Sequence, residues 1–108
     1  EKYPVLVSMD PGKQENIVLD RERMTVGKQK EQVDIFLQDP SVSRIHASLE
    51  KSGEDWYLRD RGSTNGTFLD GLRLEEGEKK KLLDGAEISF SGRRFYFHSD
   101  STGSTVQN

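Results

Sequence analysis

The chain has 108 residues, of which 31% are hydrophobic and 32% charged, with a formal net charge of −3 and no cysteine. That length makes one domain with a small core under a heavily solvated surface. The charge argues against broad, sequence-independent nucleic-acid binding, while a local basic pocket among the 16 Lys and Arg residues stays open; the missing cysteines exclude a disulfide framework and a thiolate metal site.

No apolar run approaches the roughly 20 residues that a membrane-spanning helix needs, and no signal-peptide pattern opens the chain. Because it begins with Glu1 rather than Met, it reads as a piece of a longer protein. In chain order, Tyr3 to Val7 predicts a first strand, closed by Asp10-Pro11-Gly12. Asn16 to Leu19 and Arg23 to Val26 follow, then a short apolar run Ile35-Phe36-Leu37 that stops at Asp39-Pro40. Ile45 to Lys51 and Asp55 to Asp60 flank the hairpin turn Ser52-Gly53-Glu54. Thr67 to Leu69 and Leu72 to Leu74 bracket Asp70-Gly71, the strongest short hairpin signal in the chain. Lys79 to Leu82 suits a lysine-protected edge. Ala86 to Phe90 and Arg93 to Phe97 flank Ser91-Gly92, and Gly71, Gly85 and Gly92 read as positive-φ turn glycines.

No segment carries a sustained apolar period of 3.6, so helix should be nearly absent. The expected fold is an all-β antiparallel sandwich of about ten or eleven short strands, with a domain over residues 1–99 and a loose tail over 100–108. The aromatic residues Trp56, Tyr57, Phe68, Phe90, Phe95 and Phe97 read as packing between and within sheets.

Two polar clusters, Ser43-Arg44-Ile45-His46 and Ser63-Thr64-Asn65-Gly66-Thr67, fall where turns are expected. Together they offer hydroxyls, a guanidinium, an amide and backbone N–H groups, which suit a tetrahedral anion. The strands from Ile45 and to Asp60 form one hairpin and run in opposite directions. The start of the first and the end of the second therefore share one end of the sheet, which brings the clusters together. Gly27-Lys28 is a third loop able to reach that end.

Gly27-Lys28, Asp34-Ile35, Ser43-Arg44-Ile45-His46, Asp60, Ser63-Thr64-Asn65-Gly66-Thr67 and Gly71, with Leu83-Asp84-Gly85 and the aromatic strand beyond, resemble the pattern of the forkhead-associated (FHA) domain. The resemblance covers approximately Tyr3 to His98. It implies an eleven-stranded β-sandwich whose apical loops bind phosphothreonine peptides without catalysis, cofactor or metal. On that resemblance Lys28, Ser43, Arg44 and Thr64 bind the phosphate and Asn65 holds the peptide backbone, while Gly27, His46 and Gly66 support the site. Lys28 stands where the family usually has Arg, an ammonium point charge in place of a planar fork. Ser41 stands where some relatives carry a basic residue that reads an acidic side chain of the ligand. The implied partner is a phosphothreonine-containing protein or peptide, in another chain or the parent chain, with no nucleic acid and no membrane insertion by this fragment. Protein phosphorylation and the missing cysteines imply a cytoplasmic setting, alone or as the cytosolic part of a larger or membrane-anchored protein.

Two other readings stand beside this one. The first is a phospho-independent interaction or dimerisation domain of a larger regulatory protein, which the Lys28 departure favours. The second is a hydrolase built on Ser43, His46 and Asp60, against which stands the lack of a nucleophile elbow or oxyanion-hole signature.

Overall fold

Where apolar and polar side chains alternate, every second residue faces the same side of an extended chain, and two such chains bury their apolar faces against each other. In the computed structural model, which describes residues 3–99, these runs become β1 (Val5–Ser8), β2 (Ile17–Val18), β3 (Arg23–Gly27), β4 (Ile35–Phe36), β5 (Ala47–Ser52), β6 (Asp55–Asp60), β7 (Thr67–Leu69), β8 (Leu72–Arg73), β9 (Lys79–Leu82), β10 (Glu87–Phe90) and β11 (Arg93–His98). They form a six-stranded sheet in the order β2-β1-β11-β10-β7-β8 and a five-stranded sheet in the order β4-β3-β5-β6-β9. The expected tail, residues 100–108, lies outside the described residues.

The core sits between the sheets. Leu6, Ile88, Phe90, Phe95 and Phe97 come from one, and Met24, Val26, Leu49, Trp56, Leu58 and Leu82 from the other, all buried. Strand β6 shows the alternation cleanly, with Trp56, Leu58 and Asp60 buried and Asp55, Tyr57 and Arg59 partly exposed. The lysine-rich strand β9 takes the edge of the five-stranded sheet, and Lys79 Nζ lies 4.8 Å from the centroid of the Tyr57 ring. Tyr57 and Phe68 are half-buried, unlike the other aromatic residues assigned to packing.

Three local expectations change. The pairing is not wholly antiparallel: after a 3-10 turn at Lys30–Gln32, the chain returns beside β3 in the same direction, with Val26 opposite Ile35. Strand β5 starts at Ala47 rather than Ile45, because residues 43–46 arch against the end of β3 to carry the contacts described below. In the β10–β11 turn the left-handed residue is Ser91, at φ 60°, and not Gly92. No helix of the described residues is long and apolar enough to cross a membrane.

Candidate functional site

Three segments converge at one end of the sandwich: the exit of β3, the stretch leading into β5, and the loop from β6 to β7. Their approach is set first by Gly27. A Cβ there would lie 1.9 Å from the Arg44 carbonyl oxygen, so any side chain forces the backbones apart. With hydrogen alone at that position, the Lys28 amide donates to the Ser43 carbonyl (3.1 Å) and the Gln29 amide to the Arg44 carbonyl (3.2 Å).

His46 ties the second segment to the third. It is fully buried, its ring edge-on to Phe90 with centroids 6.0 Å apart. Its Nδ1 accepts the Ser43 amide hydrogen at 3.0 Å, which leaves the ring proton on Nε2 to be donated to the Gly66 carbonyl at 2.8 Å. Burial pulls the imidazole below its ordinary range, and the nearby Arg73 adds to this; the Gly66 hydrogen bond and the Asp60 charge oppose them. The neutral tautomer is the one that fits, since a proton on Nδ1 would displace the Ser43 amide. Both ring nitrogens are thus engaged with backbone groups, and Ser43 Oγ is not a partner of either. The geometry required of a nucleophile–base–acid relay is not made.

Asp60 builds the third segment. Its buried carboxylate accepts the Gly62 amide (2.9 Å), the Ser63 amide (3.2 Å), the Ser63 hydroxyl (2.5 Å) and the Thr67 hydroxyl (2.7 Å). Burial pushes this carboxyl upward, but the donated hydrogen bonds outweigh it and hold the group below the ordinary carboxylate range. Ser63 Oγ in turn accepts the Gly66 amide at 3.1 Å. Gly66 has φ 98°, and a Cβ on it would meet the Phe68 ring at 2.8 Å and Arg73 Nε at 2.9 Å. The hydroxyls of Ser63 and Thr67, which the sequence cluster offers to an anion, are therefore turned inward. The signal available for this was the Asp-x-x-Ser spacing of an Asx-type turn.

The loops enclose a groove of about 670 Å³ whose lining includes Lys28, Ser43, Arg44, Thr64 and Asn65. Two cations and no carboxylate line it. Arg44 is exposed, and among the described residues nothing pairs with its guanidinium; Lys28 Nζ reaches across to the Pro40 carbonyl at 3.2 Å. Ser43 Oγ accepts the Thr64 amide at 3.0 Å, so its own hydrogen is left to donate outward. Asn65 is anchored at one corner, its Nδ2 donating to the Ser41 carbonyl at 2.8 Å, which leaves its carbonyl oxygen and second amide hydrogen available. Hydroxyl, ammonium and guanidinium donors thus converge on a volume that excludes negative side chains, which is a chemistry for holding an anion. Among the described residues no group of His, Cys, Asp or Glu side chains is placed to hold a metal ion.

Comparison with known proteins agrees with this architecture. A family model described as the FHA domain matches residues 24–91. The oxoglutarate dehydrogenase inhibitor of Corynebacterium jeikeium is 32% identical over 97 residues, covering 90% of this chain and 65% of that protein. The glycogen accumulation regulator GarA of Mycolicibacterium smegmatis is 31% identical over 106 residues, covering 94% of this chain and 65% of its own length. This chain therefore spans 65% of each of these two relatives. Among solved structures, Mycobacterium tuberculosis EmbR in complex with a low-affinity phosphopeptide superposes with a TM-score of 0.82 at 24% identity, over 92% of this chain and 25% of that one.

Proposed function

The chain belongs to the FHA-domain family, and from that premise we propose that it is a non-catalytic signalling module that binds phosphothreonine-containing peptides or proteins. The observation that carries the reading is the groove itself, in which Lys28 and Arg44 stand without a facing carboxylate and the Ser43 hydroxyl is oriented outward by the Thr64 amide. A phosphate ester is nearly a dianion at neutral pH and has three acceptor oxygens. Lys28 and Arg44 supply the opposing charge, Ser43 and Thr64 supply hydroxyl donors, and Asn65 meets the backbone of the peptide beside the phosphothreonine. Gly27, His46 and Gly66 touch no ligand; they hold the three loops at the spacing the phosphate needs. The phosphopeptide complex of EmbR, whose fold this chain shares, supports the same ligand class.

The recognition module is assigned to residues 1–99, its last strand ending at His98. It acts within a larger regulatory protein in the cytoplasm, and its partner is another phosphorylated protein or a phosphorylated segment of the parent chain. The module recognises its ligand and releases it unchanged, a reading that the inhibitor and regulator names of its relatives support.

Isothermal titration with one peptide in phosphothreonine, phosphoserine and unmodified forms tests this. Binding of the phosphothreonine form alone, or by a wide margin, is expected. Equal affinity for all three would sink the phosphate-dependent reading and favour a phospho-independent interaction domain.

A further inference from the structure

The polar network around the groove does not stop at the three loops that line it. Its continuation runs into the β10–β11 turn of the opposite sheet. Ser91 in that turn is one of two non-glycine residues with positive φ among the described residues, the other being Asp70 at φ 52°. Asp70 sits in an Asp-Gly hairpin, where a left-handed Asp is ordinary. Serine at φ 60° is disfavoured by its own Cβ, and such residues cluster where a site depends on them.

What the serine supplies is a hydroxyl and an amide in fixed positions. Its Oγ–H donates to Ser41 Oγ at 2.8 Å, and Ser41 Oγ–H passes the contact on to Asp39 Oδ1 at 2.7 Å. The other Asp39 oxygen accepts Arg93 Nε at 3.1 Å, from the first residue of β11. Arg93 also donates to the Gln38 carbonyl, at 3.1 Å, so residues 38–41 hang on the β10–β11 hairpin at more than one point. The Ser91 amide meanwhile donates to the Gly66 carbonyl at 2.9 Å, the same oxygen that His46 Nε2 reaches. The Ser41 carbonyl holds Asn65 Nδ2. Ser91 does not line the groove, yet it is bonded to both of the segments that meet at Asn65.

We propose that Ser91 is a positioning residue for ligand binding, which fixes the Ser41 carbonyl and thereby the Asn65 side chain; this rests on the phosphopeptide reading above. The hydroxyl of the left-handed serine serves the groove from the second sheet, at the expense of the local backbone.

Ser91→Gly and Ser91→Ala separate that role from a structural one. Both remove the hydroxyl, but glycine relieves the positive φ and alanine retains it. Both variants are expected to bind a phosphothreonine peptide about threefold to tenfold more weakly, the range for one neutral hydrogen bond. Ser91→Gly should nevertheless melt at or above the wild-type temperature. In an Asn65→Ala background, Ser91→Gly should cause no further loss, because the effect passes through Asn65. Unchanged affinity in Ser91→Gly, or a loss that persists in full without the Asn65 side chain, would overturn the proposal. The side-chain amide resonances of Asn65, recorded by NMR without ligand, should shift in Ser91→Gly; an unshifted pair would also overturn it. That readout needs no peptide, so a wild-type protein that ignores phosphorylation would sink the phosphopeptide reading and leave the positioning role separately decided.

Discussion

Two of the depressions on this molecule that carry basic side chains differ in what opposes the charge. In the groove at the loop end, Lys28 and Arg44 face hydroxyls, amides and backbone. In the second, of about 500 Å³ beside the β5–β6 hairpin, Arg23, Arg59 and Arg61 share the lining with Glu50 and Glu76. Arg59 Nε lies 3.0 Å from Glu50 Oε2, and its Nη1 donates to the Gly77 carbonyl at 2.9 Å, while Arg23 stands 3.9 Å from the same Glu50 oxygen. Glu50 also accepts the Ser48 hydroxyl at 2.8 Å. The Glu50 carboxylate thus opposes both Arg23 and Arg59, and these contacts staple β3, β5, β6 and the turn before β9. A count of arginines does not separate the two depressions; the presence or absence of carboxylates among them does.

The groove depends most heavily on Gly27. Gly27→Ala places a methyl group against the Arg44 backbone, where no side-chain rearrangement helps. It should cost about 3 kcal/mol or more and abolish phosphopeptide binding, read by thermal melting and titration together. His46→Ala comes next, at about 2–4 kcal/mol, because it leaves a cavity, strands the Ser43 amide and takes from the Gly66 carbonyl one of its two donors.

Arg44→Ala tests the groove without disturbing the fold. Loss of one charge-assisted hydrogen bond should weaken phosphopeptide binding about tenfold to a hundredfold, with the melting temperature unchanged. Arg59→Ala in the second depression should do the reverse, leaving binding as it was and lowering stability by up to about 1 kcal/mol, since that pair is partly solvated.

Acid should reach the groove before the second depression. The His46 pKa is lower in the folded chain than its ordinary 6.5, so the unfolded chain takes up the proton first. Its contribution to stability is complete above about pH 6.5 and is lost as the pH falls below that value. The carboxylates of Asp60 and Glu50 are also depressed on folding, from ordinary values of 3.8 and 4.5. Their contributions are present above those values and disappear only in stronger acid. A melting-temperature profile should therefore begin to fall near pH 6.5 and steepen below about 4.5, and the upper limb should be absent in His46→Ala.

Lys28→Arg is expected to have the smallest effect. A planar fork in place of the ammonium should tighten phosphopeptide binding by less than about tenfold. An equal or weaker affinity would mean that the Pro40 carbonyl, rather than the ligand, sets where this cation rests.

Much of the fold was legible because it depends on local chemistry. The β6 alternation, the Asp70-Gly71 hairpin and the lysine edge of β9 each follow from residues within a few positions of one another, and each stands where the sequence placed it. The hairpin between β5 and β6 also carried the inference that the two clusters meet. The parallel return of β4 was not legible, because it depends on a short turn whose residues, Lys30–Gln32, have no distinctive pattern. Nor was the assignment of left-handed backbone to Ser91 rather than Gly92, since both fit a two-residue turn and the choice is made by Ser41 and Gly66 across the molecule.

By itself the sequence determined that this chain makes a small two-sheet β domain with polar loops gathered at one end, since strand period and turn chemistry are properties of neighbouring residues. It also named the residue types from which an anion site is made. Only the tertiary structure decided which of those polar groups remain available. Ser63 and Thr67 turn inward to Asp60, His46 gives both ring nitrogens to backbone partners, and Ser43, Thr64, Lys28 and Arg44 keep a face toward the groove. A hydroxyl or a charge has a limited number of hydrogen-bonding positions, and which of them are filled depends on groups that only folding brings within reach.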